Sequence, residues 1–307
     1  MNDDKILQDT HAHPNISMGT AYLIIAITVL LWAIGLIIAR DVHDEIPLIG
    51  LTFWRWVLAI AVLLPFVIKD VLNNLDIIHQ HWRTYFTQGT FMVGGGALLF
   101  TSLNFTTAIN ASLVNSSQPA LTALLTWIIM KDRLKRVQYL GIASAIAGLI
   151  FMIAKADIAT LLNLKFNIGD LIVVLAILSY SMYAIGLRKL PPGLSTFPTL
   201  FVILFFGMFS LLPFYIGETI LVRPVPFTLH TFVIALILAI IVSIASLALW
   251  NNGVRVVGPH RAAVFVCLMP VYGSILAMSF LGEEIYSYHI IGAIFVIAGI
   301  FMVVRNH

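Results

Sequence analysis

The sequence predicts an all-α integral membrane protein, with ten transmembrane helices arranged as two inverted five-helix repeats. Three observations predict this. First, 60% of the 307 residues are hydrophobic and only 10% are charged, with a mean hydropathy of +1.00. A soluble domain carries about 25% charged residues, so this chain has too few to solvate a globular surface. Second, the chain repeats itself. Pro119, Leu125, Gly141, Ile146, Ala147 and Gly148 recur 151 positions on as Pro270, Leu276, Gly292, Ile297, Ala298 and Gly299. At the same offset Trp32-Ala33-Ile34-Gly35-Leu36 recurs as Tyr183-Ala184-Ile185-Gly186-Leu187. Third, each unit holds an odd number of apolar stretches, so the second copy must enter the membrane in the opposite sense.

Residues 1–17 form a polar tail with Asp3, Asp4 and Asp9, without the basic start and apolar run of a cleaved signal. A spanning helix needs roughly 20 mostly apolar residues. On that rule the spans fall at 18–39, 48–68, 85–105, 109–130 and 137–154 in the first repeat (18–154). A linker, 155–169, reads as a half-turn or short interfacial helix along the outer surface. The second repeat (170–307) places spans at 170–187, 197–217, 231–252, 260–281 and 288–304. The loop Lys69–Thr84 is the longest cytoplasmic connection of the first half.

Orientation follows from the basic residues. With both termini inside, Lys5, Lys69, Arg83, Lys131, Arg133, Lys135, Arg136, Arg188, Lys189, Arg255, Arg261 and Arg305 lie on one side. Only Arg40, Lys155, Lys165 and Arg223 lie on the other. Short cytoplasmic loops carry the Lys/Arg excess, so N- and C-termini are expected in the cytoplasm. The pI of about 9.0 is accounted for by this asymmetry and does not imply nucleic acid.

Several chemistries are excluded. The lone cysteine, Cys267, rules out an intrachain disulfide, a four-cysteine zinc site and a redox pair. The nine histidines sit in the tail, in loops or at span ends, and neither His11 and His13 nor any other set reads as a metal site. There is no HExxH helix, GxSxG elbow or pair of intramembrane aspartates, so no enzyme activity and no cofactor are expected. None of the fourteen acidic residues lies deep in a span. A proton relay needs a titratable group at depth, so a facilitator, exchanger or exporter running down a substrate gradient is favoured over proton coupling.

The order LLWAIGLIIAR, FWRW, a proline within span 4, and YLGIASAIAG resembles the EamA-like branch of the drug/metabolite transporter superfamily. SYSMYAIGLRK, VGPHRAAVFVCLMPV, FLGEEI and IIGAIFVIAGIFMV extend the resemblance through the second half. Each half shows a proline, an acid thirteen residues on and a glycine twenty-two on: Pro119–Asp132–Gly141 and Pro270–Glu283–Gly292. The first half departs from the pattern, with MKDRL in place of a Gly-Glu pair. The resemblance implies a ten-helix bundle around a central cavity, often a homodimer, moving small organic metabolites or drugs in a bacterial inner membrane.

Candidate site residues follow from the polar and aromatic positions within spans. Arg55, flanked by Trp54 and Trp56, is the one charge well inside a span. It reads either as a structural arginine reaching outward to backbone carbonyls or to Asp41, Asp44 or Glu45, or as an anchor for a substrate carboxylate near the outer mouth. Gly94, Ala97, Thr101, Asn104 and Ala108 share one face of span 3, and Ser112, Asn115, Pro119, Thr122 and Thr126 one face of span 4. Small and hydroxylated residues serve helix packing, but Asn104, Asn115 and Gln118 are larger than packing needs and can line a wet path. Aromatics recur on equivalent helices, as Trp32, Tyr180, Tyr183, Trp250 and Tyr272, with Trp32 and Tyr183 at repeat-matched places; they suit a cation or an aromatic ring. Pro119 and Pro270 each remove a helical hydrogen bond, as a hinge or as a static kink. Gly141/Gly148 and Gly292/Gly299 form a smooth seam that packs helices within the bundle, with a homodimer contact as the alternative.

The resulting expectation is a carrier of an amino-acid-like or aromatic metabolite, exporting it by alternating access. Its site is Trp32, Asn104, Asn115, Tyr180, Tyr183, Trp250 and Tyr272, with Arg55. Its partners are the small-molecule substrate and the lipid bilayer. Uptake of a quaternary amine such as choline is the rival within transport. A receptor or scaffold without flux is the rival outside it.

Overall fold

The computed structural model describes residues 16–106, 111, 114–115, 118–131, 136–153, 168–281 and 287–305. All regular structure among these residues is helical. In chain order the elements are α1 (Met18–Asp41), α2 (Leu48–Asn73), α3 (Leu75–Gln80), α4 (Trp82–Ser102), α5 (Gln118–Met130), α6 (Arg136–Ile153) and α7 (Ile168–Gly186). There follow α8 (Thr196–Leu221), α9 (Leu229–Ile237), a π-helical stretch (Leu238–Ala245), α10 (Ser246–Val257) and α11 (Pro259–Val264). A 3₁₀ turn (Phe265–Leu268), α12 (Met269–Leu281) and α13 (Ser287–Arg305) complete the described chain. The polar tail before residue 16, most of the 155–169 linker, Asp132, Glu283 and Glu284 lie outside the described residues.

Five described helical segments are long and apolar enough to cross a membrane: Met18–Asp41, Leu48–Asn73, Leu171–Lys189, Thr196–Leu221 and Leu229–Val257. The distribution of side chains is that of a protein dissolved in lipid. Phe66, Phe214, Ile220, Leu221 and Ile294 stand exposed on the outside, while Arg55, Gln88, Asn115, Gln118, Thr122 and Asn251 are buried. Hydrocarbon solvates the first group and cannot satisfy the second.

Local chemistry accounts for the helix ends. Ser17 caps α1, its hydroxyl accepting from the Thr20 amide at 3.1 Å. Pro47 precedes α2 and its ring excludes continuation from the turn before it. The first free amides of α2, of Ile49 and Gly50, donate to the Glu218 carboxylate at 3.1 and 2.6 Å. Glu218 sits at the far end of α8, so a carboxylate from the second half closes the helix start of the first, where a negative charge is favoured. Arg223 reinforces this junction by donating to the carbonyls of Asp44 and His43 at 2.5 and 3.0 Å. The 69–84 connection is largely helical: α2 continues to Asn73 and α3 occupies 75–80 before α4 begins at Trp82.

The two halves interleave. α1 packs on α10 and α12, α2 on α8, α4 on both α7 and α8, and α5 on α7 and α11. α6 and α13 make an extensive contact of their own, along the predicted glycine seam. A Cβ on Gly148 would lie 2.6 Å from the Gly292 carbonyl oxygen, and one on Gly299 would meet the Gly141 carbonyl in the same way. Ser144, between them, donates to the Phe295 carbonyl at 3.1 Å. Position 148 opposes 292 while 141 opposes 299, so the helices run antiparallel in reciprocal register, and backbone touches backbone where side chains are missing.

Replacing Gly148 with alanine is expected to cost about 1–3 kcal/mol through overpacking against that carbonyl. Gly94, with nothing near its missing Cβ, should accept alanine with no loss. Melting temperatures of the two variants in detergent check this, and equal effects would contradict the close α6–α13 contact.

Candidate functional site

Nine of the described helical elements, with Asn115, line one cavity. α1 contributes Trp32 and Leu36, α2 contributes Arg55 and Trp56, and α4 contributes Met92, Leu99 and Phe100. Asn115 and Gln118, the latter opening α5, close the first-half side. Tyr180 and Tyr183 on α7, Val242 in the π stretch, Leu247 and Trp250 on α10, and Val266 and Met269 line the other. The positions a water centre can occupy span about 50 Å³. A water needs roughly 10–15 Å³ on that measure, so there is room for a few waters or one small organic group.

The aromatic side is tightly ordered. Trp32 lies 4.8 Å from Trp250 between ring centroids, at 49°, and 6.5 Å from Tyr180, at 21°. The Trp32 indole donates to the Ser246 hydroxyl at 3.0 Å, and that hydroxyl in turn donates to the Val242 carbonyl within the π-helical stretch. Val242 within this stretch and Leu247 just beyond it line the cavity. Such π segments cluster at functional sites. Nothing in LAIIVSIA signals it, since the stretch holds neither proline nor glycine. On the next turn the Tyr183 hydroxyl donates to Asn251 Oδ1 at 2.8 Å, and Thr122 bonds Ser181 at 2.8 Å, tying α5 to α7.

The polar side is under-satisfied. Arg55 is 3% exposed, roughly 10 Å along α2 from its first residue. Its guanidinium carbon stands 4.5 Å from the ring centres of both Trp56 and Phe100. Asp41, Asp44 and Glu45 make no bond to it, and Arg223 takes the carbonyls at that end of the bundle instead. The Asn115 amide donates weakly to the Met269 sulfur at 3.6 Å, while Asn115 Oδ1 and Arg55 Nε find no partner among the described residues.

Six of the eight sequence-derived residues thus converge on this cavity: Trp32, Arg55, Asn115, Tyr180, Tyr183 and Trp250. Two do not. α4 ends at Ser102, whose hydroxyl bonds back to the Leu99 carbonyl at 2.6 Å, so Asn104 falls in the following turn and is exposed. Tyr272 packs against the apolar core from α12 without reaching the cavity. Pro119 and Pro270 each stand second in their described helices, α5 and α12. Pro270 has no amide to offer the Val266 carbonyl, which accepts from Met269 instead, giving the 3₁₀ turn that sets Val266 and Met269 at the wall. Trp56, Met92 and Phe100 were not singled out by the sequence, because an apolar residue on a cavity wall looks like one in a core.

A bundle of apolar helices closed around a small polar and aromatic cavity has the build of a membrane transport protein. The chain belongs to the EamA-like transporter family, whose sequence profile matches residues 19–154 and again residues 167–305. Among its relatives is an "Uncharacterized transporter YyaM" of Bacillus subtilis (strain 168), 28% identical over 80% of this chain and 81% of that one. An "Uncharacterized transporter" of Archaeoglobus fulgidus is 24% identical over 92% of this chain and 96% of its own. A protein of Salmonella typhimurium named "Probable amino-acid metabolite efflux pump" is 24% identical over 69% of this chain and 73% of its own. A crystal structure of a protein 18% identical superposes with a TM-score of 0.71 over 93% of this chain and 96% of that one. This likeness establishes a shared fold.

Tyr183→Phe is expected to cost about 1–3 kcal/mol, because it leaves the buried Asn251 Oδ1 without its donor. A lowered melting temperature with the helical circular dichroism signal intact checks this.

Proposed function

We propose that this protein is a secondary transporter that exports an amino-acid-like or aromatic metabolite across the bacterial cytoplasmic membrane by alternating access. In this reading ten spans form two inverted five-helix repeats, with both termini in the cytoplasm. The observation that carries it is the cavity, whose walls come from both halves at once. Rocking one half against the other would expose that cavity first to one side and then to the other. The antiparallel, reciprocal contact of α6 with α13 supports the inverted arrangement, since an axis lying in the membrane plane demands such a register. The Lys/Arg asymmetry of the loops supports the orientation.

Alternating access requires contacts that break without unfolding the bundle. The Glu218 cap on α2 and the Arg223 bonds to the 43–44 carbonyls are of that kind: polar, at a helix end, and joining the halves. Pro119 and Pro270 are the hinges in this scheme, where a missing amide lowers the cost of bending. The Salmonella relative's name agrees with an amino-acid-like cargo. A homodimer would have to use a face other than the α6–α13 seam, which is filled within the chain.

The test is flux through proteoliposomes loaded with labelled amino acids and aromatic metabolites. Wild type should move at least one of them. Trp32→Ala, which deletes one wall of the cavity and the bond to Ser246, should reduce flux to background while the protein still inserts. Normal flux in that variant would remove the aromatic wall from the mechanism, and absence of flux for every solute would favour a receptor or scaffold.

A further inference from the structure

The cavity holds a positive charge that the described protein does not neutralise. Arg55 has neither a hydrogen bond nor an ion pair among the described residues, and no Asp or Glu lines the cavity. Trp56 and Phe100 pack against the guanidinium, each ring centre 4.5 Å from its carbon, and such ring contacts leave its N–H donors unused. A Cβ added at Gly96 would lie 2.8 Å from Arg55 Nη2 and 3.3 Å from the Tyr180 hydroxyl, so both polar groups stand over the same bare stretch of α4. Asn115 Oδ1, also buried and without a partner among the described residues, belongs to the same cavity.

A buried charge without a partner is costly, and stacking between rings does not replace the lost hydration of the N–H groups. What fits a rigid, planar fork of donors is a planar pair of acceptors, as in a carboxylate. Resting on the transport reading above, we propose that the cavity binds substrates through a carboxylate held by the Arg55 guanidinium, with the apolar part of the substrate against Trp32 and Trp250. Two kinds of solute supply that group, an amino acid and a simple monocarboxylate, and Asn115 Oδ1 is placed to accept from an ammonium in the first. A quaternary amine meets the same aromatic walls but carries the charge that Arg55 opposes. Arg55 therefore separates the carboxylate class from the choline class that aromatic walls alone would admit.

The test is a thermal-shift titration of purified protein with the standard amino acids, acetate, pyruvate and benzoate, each beside its amide, and with choline. At least one carboxylate should stabilise wild type, and its amide should not. Arg55→Gln should raise that ligand's dissociation constant by roughly 10- to 150-fold, the loss expected of charge-assisted hydrogen bonds. Arg55→Lys keeps the charge, spares the fold if glutamine does not, and should still weaken binding because the fork is lost. Stabilisation by amino acids alone assigns the ammonium a role, and stabilisation by acetate, pyruvate or benzoate shows that the carboxylate suffices; both support the proposal. Equal response to acid and amide, undiminished affinity in both Arg55 variants, or no response to any carboxylate overturns it. Flux of a neutral or cationic solute through an Arg55-independent site would overturn the carboxylate site and leave transport standing. Carboxylate binding without flux would do the reverse.

Discussion

A guanidinium held inside an apolar bundle, with no acid beside it among the described residues, is the constraint around which the rest of this structure is arranged. Lipid offers Arg55 nothing, so the surrounding helices must. Trp56 and Phe100 pack against it, and Gly96 leaves space beside its terminal nitrogen. Several kcal/mol attach to burying such a charge, and stacking on two aromatic rings recovers part of this. The remainder falls to the cavity that Arg55 lines, where its donors could meet water.

The cavity in turn depends on how the halves meet. Trp32 is fixed by a bond to Ser246 on the opposite half, and Tyr183 is fixed to Asn251, so the aromatic walls are oriented by partners far away in sequence. The polar closures at the bundle's end, Glu218 on the α2 amides and Arg223 on the 43–44 carbonyls, also join the halves. The α6–α13 seam differs in kind. Its backbones touch through bare glycines, which suits a fixed core about which other helices move.

Much of this was legible in the sequence, for physical reasons that differ by residue. Spans 1 and 2 begin where expected because Ser17 and Pro47 are strong local stop and start signals. Arg55 and Asn115 stood out because lipid cannot tolerate them without cause, and the repeat offset picked out Trp32 and Tyr183. Asn104 misled because helical periodicity was extended past the true end of α4, and only the Ser102 back-bond marks that end. Tyr272 shares its chemistry with Tyr180 but not its helix face. The π stretch left no trace in composition, since it holds neither proline nor glycine. Glu218 is, in the sequence, one of the acids that lie outside the depth of the spans. Its role as a cap on another helix depends on a contact 168 residues away in sequence, which no local pattern reveals.

The most direct test of the account is an experimental structure with a stabilising carboxylate bound. It should show the ligand's oxygens about 2.7–2.9 Å from the Arg55 N–H groups, with its apolar part against Trp32 and Trp250. Ligand density elsewhere in the bundle, or an acidic side chain of the protein paired with Arg55, would contradict it.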